Sequence, residues 1–244
     1  MPARVRFLIP GLLLLRVATS AAAQAPVNAL SLPNLLVRAD TVETYSRRGP
    51  GPLTRGASYV RTVTGSRDGG WRVEFRWSDS AGAWMSTQRI ETAPGTLVTR
   101  SEHVRALIDS ASLLIADGWA TGWVVPAGQP ARLIDGAVGA GFASGDVAIL
   151  AIAATRPQPG MLYTIPRTNV FSGSPLALAA DTLQALAPAR LRYNNRDVDC
   201  QSIHGPLGRV YWVERATGRL LARRAISGPV TYWHVIAGVT PPEV

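Results

Sequence analysis

A strict alternation of apolar and polar residues marks one segment of the chain, residues 71–77. The apolar positions are Trp71, Val73, Phe75 and Trp77, and the polar positions between them are Arg72, Glu74 and Arg76. Successive side chains of a β-strand point to opposite faces of the sheet, so this pattern predicts a strand with one dry and one wet face. Such strands are typical of antiparallel sheets.

Short segments of similar character recur along the chain, separated by turn residues such as Pro94 and Gly95. The other predicted strands before residue 101 are 41–45, 58–64, 84–92 and 96–100. Those after residue 118 are 119–125, 131–134, 147–154, 161–165, 190–193, 197–203, 210–214, 220–225 and 230–236. Strands spaced in this way predict a β-meander. Residues 147–152 are apolar without alternation, which predicts a buried central strand or the lining of a hydrophobic cavity.

Two segments predict helices within this meander. After Ser101, which fits an N-cap, apolar residues recur at helical spacing as far as the turn Asp117-Gly118. The stripe consists of Val104, Leu107, Ile108, Ala111, Leu114 and Ile115, and it is expected to pack on the sheet. Residues 176–186 predict a second short helix.

The first residues have the order of a secretory signal peptide. Arg4 and Arg6 precede an apolar run, and small residues follow it up to Ala25. The preferred cleavage site is after Ala23, and the apolar run is too short for the roughly 20 residues of a spanning helix. We therefore predict a signal peptide over 1–23, a lead-in over 24–40 and one β-rich domain over 41–244. A periplasmic or secreted location, with no transmembrane segment after cleavage, follows from this prediction.

Composition weakens the case for nucleic acid. The net charge is +9, and every basic residue is arginine because the chain has no lysine. Removal of the signal peptide with Arg4, Arg6 and Arg16 leaves 22 basic against 16 acidic residues, a net charge of +6. The arginines are scattered along the predicted strands, whereas a nucleic-acid binder gathers its basic residues on one face. No nucleic-acid partner is predicted.

Several enzyme chemistries are excluded by the residues that are missing. Without lysine there is no Walker A loop, no Ser-x-x-Lys site and no Schiff base. The glycine-rich stretch 136–145 lacks a predicted strand-loop-helix context and is interpreted as a flexible loop. His103, His204 and His234 form no ligand pair, and the lone Cys200 is expected to be a buried strand thiol. We predict no catalytic residue, no metal site, no cofactor and no enzyme activity.

The last strands resemble a known family. The segment 199–224, with Trp212-Val213-Glu214 followed by Thr217-Gly218-Arg219-Leu220-Leu221, resembles the closing hairpin of exported half-barrel proteins similar to the LolA and LppX lipoprotein carriers. Residues 107–118 also look like their mid-chain helix and turn. The resemblance implies a mainly β (α+β) fold: a curved antiparallel sheet, or unclosed β-barrel, with one or two short helices packed on its concave side. It also implies an apolar cavity for acyl chains.

Three functions are compared. The leading one is an exported, non-enzymatic binding protein that holds a lipid or lipoprotein acyl chain in an apolar β cavity. The candidate lining residues are Trp71, Phe75, Trp77, Tyr211, Trp212, Tyr232 and Trp233, and the alternative role of each is core packing. The second is a cell-envelope interaction module that binds a protein partner or an anionic lipid surface through exposed arginines. The third is a hydrolase with a site assembled from distant segments. An open apolar pocket favours the carrier, and a filled core favours the module.

Overall fold

The computed structural model describes residues 24–26, 35–139, 141–167 and 179–242, which form fifteen strands and one helix. The first nine strands are β1 Gln24–Pro26, β2 Arg38–Arg48, β3 Thr54–Ser66, β4 Gly70–Ser78, β5 Trp84–Thr92, β6 Thr99–Ala106, β7 Ser110–Ala116, β8 Trp119–Val125 and β9 Arg132–Ala137. The helix α1 is Gly145–Ala154. The remaining strands are β10 Leu162–Arg167, β11 Ala179–Tyr193, β12 Arg196–His204, β13 Val210–Glu214, β14 Leu220–Ser227 and β15 Val230–Ile236.

The described strands form one sheet in the order β1-β10-β11-β12-β13-β14-β15-β2-β3-β4-β5-β6-β7-β8-β9. Neighbouring strands are antiparallel except β1 and β10, which are parallel. The meanders β2–β9 and β10–β15 are joined where β15 pairs with β2. In the described part of the chain, the end strands β1 and β9 do not pair with each other, so the barrel is unclosed.

The sheet curls around α1. Ile149 and Leu150 of the helix line a small cavity together with Tyr59 of β3 and Phe75 of β4, and the helix also contacts β10. In a flat sheet, β10 and β4 would be about 38 Å apart at about 4.8 Å per strand, whereas a helix is only about 10–12 Å across. Contact with both therefore requires a concave sheet with α1 inside it. The predicted fold class is confirmed.

The strand with the clearest alternation is confirmed as β4. Trp71, Val73 and Phe75 are buried on the face towards α1, and Trp77 is partly buried there. Arg72 and Arg76, on the other face, are exposed. The dry and wet faces predicted from the sequence are therefore the concave and outer faces of the barrel.

The helix predicted after Ser101 is wrong, because this segment forms the β6–β7 hairpin. Its buried apolar residues, Ala111, Leu113 and Ile115, alternate along β7. Leu107 and Ile108 lie in the turn and are exposed, and Leu114 is exposed on the outer face. The apparent helical spacing therefore came from residues that lie on both faces of the sheet and in the turn between β6 and β7. Of the strand predicted at 96–100, only the last two residues belong to β6.

The strand predicted at 147–154 is wrong as well, because these residues belong to α1. Val147, Ala148 and Ile149 are all buried, as are Ala151 and Ile152, so the helix is covered on every side. A helix buried on all sides has no polar face and shows no helical periodicity. The glycine-rich stretch therefore connects a strand to a helix, contrary to our interpretation. Among the described residues, no helix has the length and apolar character needed to cross a bilayer.

Two further predicted segments lie partly or wholly outside the described residues. Residues 179–186, part of the second predicted helix, belong to the long strand β11, and residues 176–178 lie outside the described residues. The predicted signal peptide, 1–23, also lies outside them. The sheet includes part of the lead-in, because β1 is Gln24–Pro26 and β2 starts at Arg38.

Gly218, in the turn that carries the family resemblance, allows the β13–β14 hairpin to approach α1. A Cβ at this position would lie 2.7 Å from the carbonyl oxygen of Ala153 at the end of the helix. Gly218 also has φ of +74°, which favours glycine. The turn is therefore fixed by its contact with the helix.

A buried ionic cluster lies near the same turn. Asp40 accepts hydrogen bonds from Arg61 at 2.8 Å, from Arg219 at 2.7 Å and from Arg38 at 2.9 Å. Burial alone raises the pKa of Asp40, but the hydrogen bond from Arg61 and the three positive charges outweigh it and hold the pKa below its usual value. The cluster links β2, β3 and the β13–β14 turn through charges largely removed from water.

Candidate functional site

The seven predicted aromatic residues do not share one face. The strand register places Trp71, Phe75, Trp77, Tyr211 and Tyr232 on the concave face. Trp212 and Trp233 each follow one of these residues in the chain and therefore point to the opposite face. Both are buried, and the guanidinium of Arg47 lies 5.3 Å from the ring of Trp233. Tyr232 is 41% exposed, near the start of β15.

The aromatic residues near the centre pack against one another and against α1. The Tyr59 ring lies 4.3 Å from that of Trp77 and 5.8 Å from that of Phe75, measured between centroids. His234 completes the cluster, 5.8 Å from Trp77, and burial lowers its pKa to about 3 with a further contribution from Arg223. The remaining cavity between this cluster and the helix is about 20 Å³, which accommodates one water molecule. Beside this cluster the concave face is therefore filled by α1, and an acyl chain at this position would need the helix to move.

A larger depression lies on the outer face of β4–β8, with a volume of about 830 Å³. Its polar side chains are Glu74, Arg76, Thr87, Arg89, His103, Arg105, Ser110 and Ser112, and two indoles, Trp84 and Trp123, contribute to its lining. We call it the arginine groove. Its residues lie on the face opposite Phe75 and Ile90, so they form the wet side of the same strands.

One row of the arginine groove crosses four adjacent strands. The register pairs Arg76 with Thr87, Thr87 with Arg105, and Arg105 with Ser110. Arg76 and Arg105 are thus two strands apart, about 10 Å between backbones. Long guanidinium side chains on either side of Thr87 can converge on a ligand that lies over its hydroxyl.

Neither Arg76 nor Arg105 has an ion-pair partner among the described residues. The neighbouring Arg89 is different, because its Nε and Nη2 atoms both lie 3.1 Å from Oε2 of Glu74. Glu74 therefore compensates Arg89, and the arginine groove keeps two uncompensated positive charges. Both of these guanidinium groups belong to exposed residues and are accessible from solvent.

Trp84 orients two groups of that row. Its Nε1 donates a hydrogen bond of 3.0 Å to the hydroxyl of Thr87, and its ring centroid lies 5.7 Å from the guanidinium carbon of Arg105. The cation–π contact restrains the long arginine side chain at the rim. Trp123, on β8, is 42% exposed and offers an apolar surface on the other side.

The neighbouring row of the arginine groove, Glu74, Arg89, His103 and Ser112, contains a serine–histidine pair. Nδ1 of His103 and Oγ of Ser112 are 2.9 Å apart, and the register places them side by side on β6 and β7. No described carboxylate is hydrogen-bonded to the other ring nitrogen of His103, and Glu74 is engaged with Arg89. The pair thus has the distance of a nucleophile and base without the carboxylate of a triad.

The sequence alone did not reveal the arginine groove. It assigned the outer residues of β4 to a wet face, but it placed His103, Arg105 and Ser112 on a helix. The signal that could have found the hairpin is the alternation of Ala111, Leu113 and Ile115. Cys200 is confirmed as a buried strand thiol, and burial raises its pKa to about 12. Among the described residues, no group of three His, Cys, Asp or Glu side chains is arranged to hold a metal ion.

Together these features define an unclosed antiparallel β-barrel around a central helix, with a charged groove on its outer face. No family model matches the chain, and no curated protein matches it. Among solved structures, it is similar to the crystal structure of a beta-barrel-like protein of domain of unknown function DUF1849 from Brucella abortus. The two have 10% sequence identity and a TM-score of 0.48, over 85% of this chain and 100% of that chain. The resemblance to the LolA and LppX carriers stays an expectation from the sequence.

Proposed function

We propose that the protein is an exported, non-enzymatic interaction module of the cell envelope, whose arginine groove binds an anionic group. The observation that carries this proposal is the pair of uncompensated guanidinium groups, Arg76 and Arg105, in one row across Thr87. Export rests on the signal-peptide pattern of residues 1–23.

The chemistry of the arginine groove favours a phosphate or a carboxylate. Guanidinium groups donate paired hydrogen bonds to such oxygen anions, with a planar geometry that matches them. The hydroxyl groups of Thr87 and Ser110 lie in the same row and can add neutral hydrogen bonds. The ring of Trp123 offers contact area to an apolar part of the ligand.

The packing of α1 against the central aromatic residues of the concave face supports the module over the carrier. Ile149 and Leu150 of α1 occupy the side of the sheet where an acyl chain would lie against Tyr59 and Phe75, and the cavity between them is only about 20 Å³. The arginine groove, at about 830 Å³, is open to solvent and is within the size range of ligand sites. The aromatic lining of a lipid cavity stays a prediction that requires displacement of α1.

Titration with glycerol 3-phosphate at low ionic strength tests the proposal, with glycerol as the uncharged control and calorimetry as the readout. We expect saturable binding that weakens with added salt. Loss of one charge-assisted hydrogen bond costs about 1.5–3 kcal/mol, so Arg76→Ala and Arg105→Ala should each weaken binding roughly tenfold or more. The matched control is Arg100→Ala, an exposed arginine of β6 outside the arginine groove. Absence of binding, or equal weakening by Arg100→Ala, would overturn the proposal.

A second candidate function is hydrolysis, favoured by the 2.9 Å contact between His103 and Ser112. His103 could take the proton of the Ser112 hydroxyl as it attacks an acyl or phosphoryl centre held by the nearby arginines, and donate that proton to the leaving group as its bond to that centre breaks. Water would then release the acyl or phosphoryl group from Ser112. Incubation with a fluorophosphonate probe followed by mass spectrometry tests this role. Labelling of Ser112 that is lost in His103→Gln would support it, and an unlabelled protein would leave only the binding role.

A further inference from the structure

The β6–β7 turn exposes two large apolar side chains next to each other. Leu107 and Ile108 are 68% and 72% exposed, and the turn is closed by a hydrogen bond from the Ala106 N–H to the Asp109 carbonyl. The Leu107 N–H donates to the carbonyl of Met85, whose side chain is also exposed. We call Met85, Leu107 and Ile108 the apolar tip. It is formed by two neighbouring hairpins at the same end of the barrel.

The apolar tip lies directly beyond the arginine groove. Arg105 precedes Leu107 by two residues, and Ser110 follows Ile108 by two residues. At about 3.3 Å per residue along the strand, the row that contains Arg105 and Arg76 lies about 7 Å from the apolar side chains, towards the middle of the sheet. Trp84, which precedes Met85, lies at the level of Arg105 because the two are in cation–π contact.

This order of groups matches the cross-section of a lipid leaflet. Amphipathic surface binders bury apolar side chains about 5–10 Å into the boundary between headgroups and acyl chains. Tryptophan is enriched at that boundary, and arginine near the surface is attracted by anionic lipids. Here the apolar groups are followed over a similar distance by an aromatic and a cationic group at one level, Trp84 and Arg105.

We propose that the apolar tip inserts into the surface of an anionic lipid bilayer while Arg76 and Arg105 bind lipid phosphates. The inference rests on the proposed function and names the source of the anionic group as a membrane headgroup. The uncompensated charge of the arginine groove gives complementarity to an anionic surface. The apolar tip explains why the ligand would be a lipid in a bilayer and not a free phosphate.

Another turn of the chain provides a matched comparison. Leu207, in the β12–β13 turn, is 64% exposed, close to the exposure of Leu107. The arginine near it, Arg209, is engaged with Asp181 at 2.5 Å, so that turn combines an exposed leucine with a compensated charge. Single exposed apolar residues are common on protein surfaces and need no partner. Leu207 is therefore the control position.

Cosedimentation with extruded vesicles tests the inference. The vesicles contain equal parts of phosphatidylglycerol and phosphatidylcholine, or phosphatidylcholine alone, at low ionic strength. We expect binding to the anionic vesicles at least tenfold stronger than to the neutral ones. The double variant Leu107→Ser/Ile108→Ser should lose at least tenfold in vesicle binding while Leu207→Ser retains it, and unchanged melting temperatures would establish that both variants fold.

Glycerol 3-phosphate separates the failure of this inference from failure of the proposed function. The Leu107→Ser/Ile108→Ser protein should bind it as the wild type does, because the arginine groove is intact. Binding of glycerol 3-phosphate without binding to vesicles would overturn the membrane inference and leave the proposed function standing. No binding to either would overturn both. Vesicle binding unaffected by the double variant, or self-association that the double variant abolishes, would assign the apolar tip to another role and overturn insertion.

Discussion

The side-chain amide of Gln88 donates a hydrogen bond of 2.8 Å to the carboxyl group of Glu102, and the strand register places both residues on the concave face. Glu102 is paired with Ile90 of β5 and with Leu113 of β7, and Ile90 is paired with Val73 of β4. Glu102 is therefore a charged residue in an otherwise apolar row across four strands. Burial raises its pKa to about 7, and the negative charge of Asp146 adds to this, while hydrogen bonds from Gln88 and Ser144 oppose it.

This carboxyl group makes stability depend on pH. Its pKa in the folded protein exceeds the ordinary value of 4.5, so folding takes up a proton between pH 4.5 and about 7. Its favourable contribution is complete below pH 4.5 and is lost as the pH rises to about 7. Glu102→Gln removes the titrating group, so we expect the variant to exceed the wild type in unfolding free energy by up to about 3 kcal/mol at pH 8, with little difference at pH 4.5.

Denaturant unfolding of both proteins at the two pH values measures this effect. The control is Glu91→Gln. Glu91 lies on the outer face of β5, the strand before that of Glu102, and forms an ion pair with Arg72. Exposed ion pairs contribute about 0–1 kcal/mol, so this variant should differ little from the wild type at either pH. Equal stability of Glu102→Gln and the wild type at pH 8 would contradict the assignment.

The ionic cluster around Asp40 predicts a large loss of stability when its only acidic member is neutralised. Asp40→Asn leaves Arg61, whose side chain is 5% exposed, without its counter-charge. Removal of one partner from a buried pair costs about 3–5 kcal/mol. In Asp199→Asn the lost partner is Arg190 in an exposed pair, and we expect a change below about 1 kcal/mol. Similar melting temperatures for the two variants would show that the Asp40 cluster is not a stabilising contact.

Substitution of Phe75 distinguishes a role in core packing from a role in ligand binding. If it is core, Phe75→Ala should reduce the unfolding free energy by about 3–5 kcal/mol. Tyr232→Ala, taken from the same set of aromatic residues but at an exposed position, should change it by about 0.5 kcal/mol or less. If a fluorescent fatty acid binds, its carboxylate should occupy the arginine groove, so Arg76→Ala should weaken that binding and Phe75→Ala should not. Saturable binding that Phe75→Ala weakens more than it lowers stability would restore the acyl-chain carrier.

The mature chain is expected to start at Gln24. Ala21 and Ala23 place small residues where a signal peptidase requires them. Intact-mass measurement of protein exported from a host that recognises the signal peptide determines the first residue. A mass that retains residues 1–23 would contradict both the cleavage and the predicted location.

The local strand pattern was predictable from the sequence, while the position of the helix was not. The limits of β5, β8, β13 and β15 are those expected from alternation and turn residues. The helix was missed because a segment enclosed by a curled sheet is apolar on all sides, and its sequence cannot be distinguished from that of a central strand. The β6–β7 hairpin was taken for a helix because its exposed turn residues, Leu107 and Ile108, completed a helical spacing by chance.

The arginine groove depends on register, which the sequence reveals only in part. Arg76 was assigned to a wet face from its own strand, but its alignment with Thr87 and Arg105 is set by the turns and by irregular pairing. One such irregularity lies between Trp77 and Ser78, where β4 shifts relative to β5. A shift of one residue would move every later side chain to the other face. The cross-strand row therefore becomes visible only in three dimensions.

The pairing of β15 with β2 also sets the order in which the molecule can be assembled. Ile236 is aligned with Val42 and Val230 with Arg48, so β2, the first strand of one meander, pairs with β15, the last strand of the other. During synthesis the meander β2–β9 is complete long before β15 is available, and one side of β2 keeps unpaired N–H and C=O groups. Unpaired strand edges are templates for association between molecules. A chain truncated before Val230 is thus expected to aggregate and not to yield a smaller folded domain.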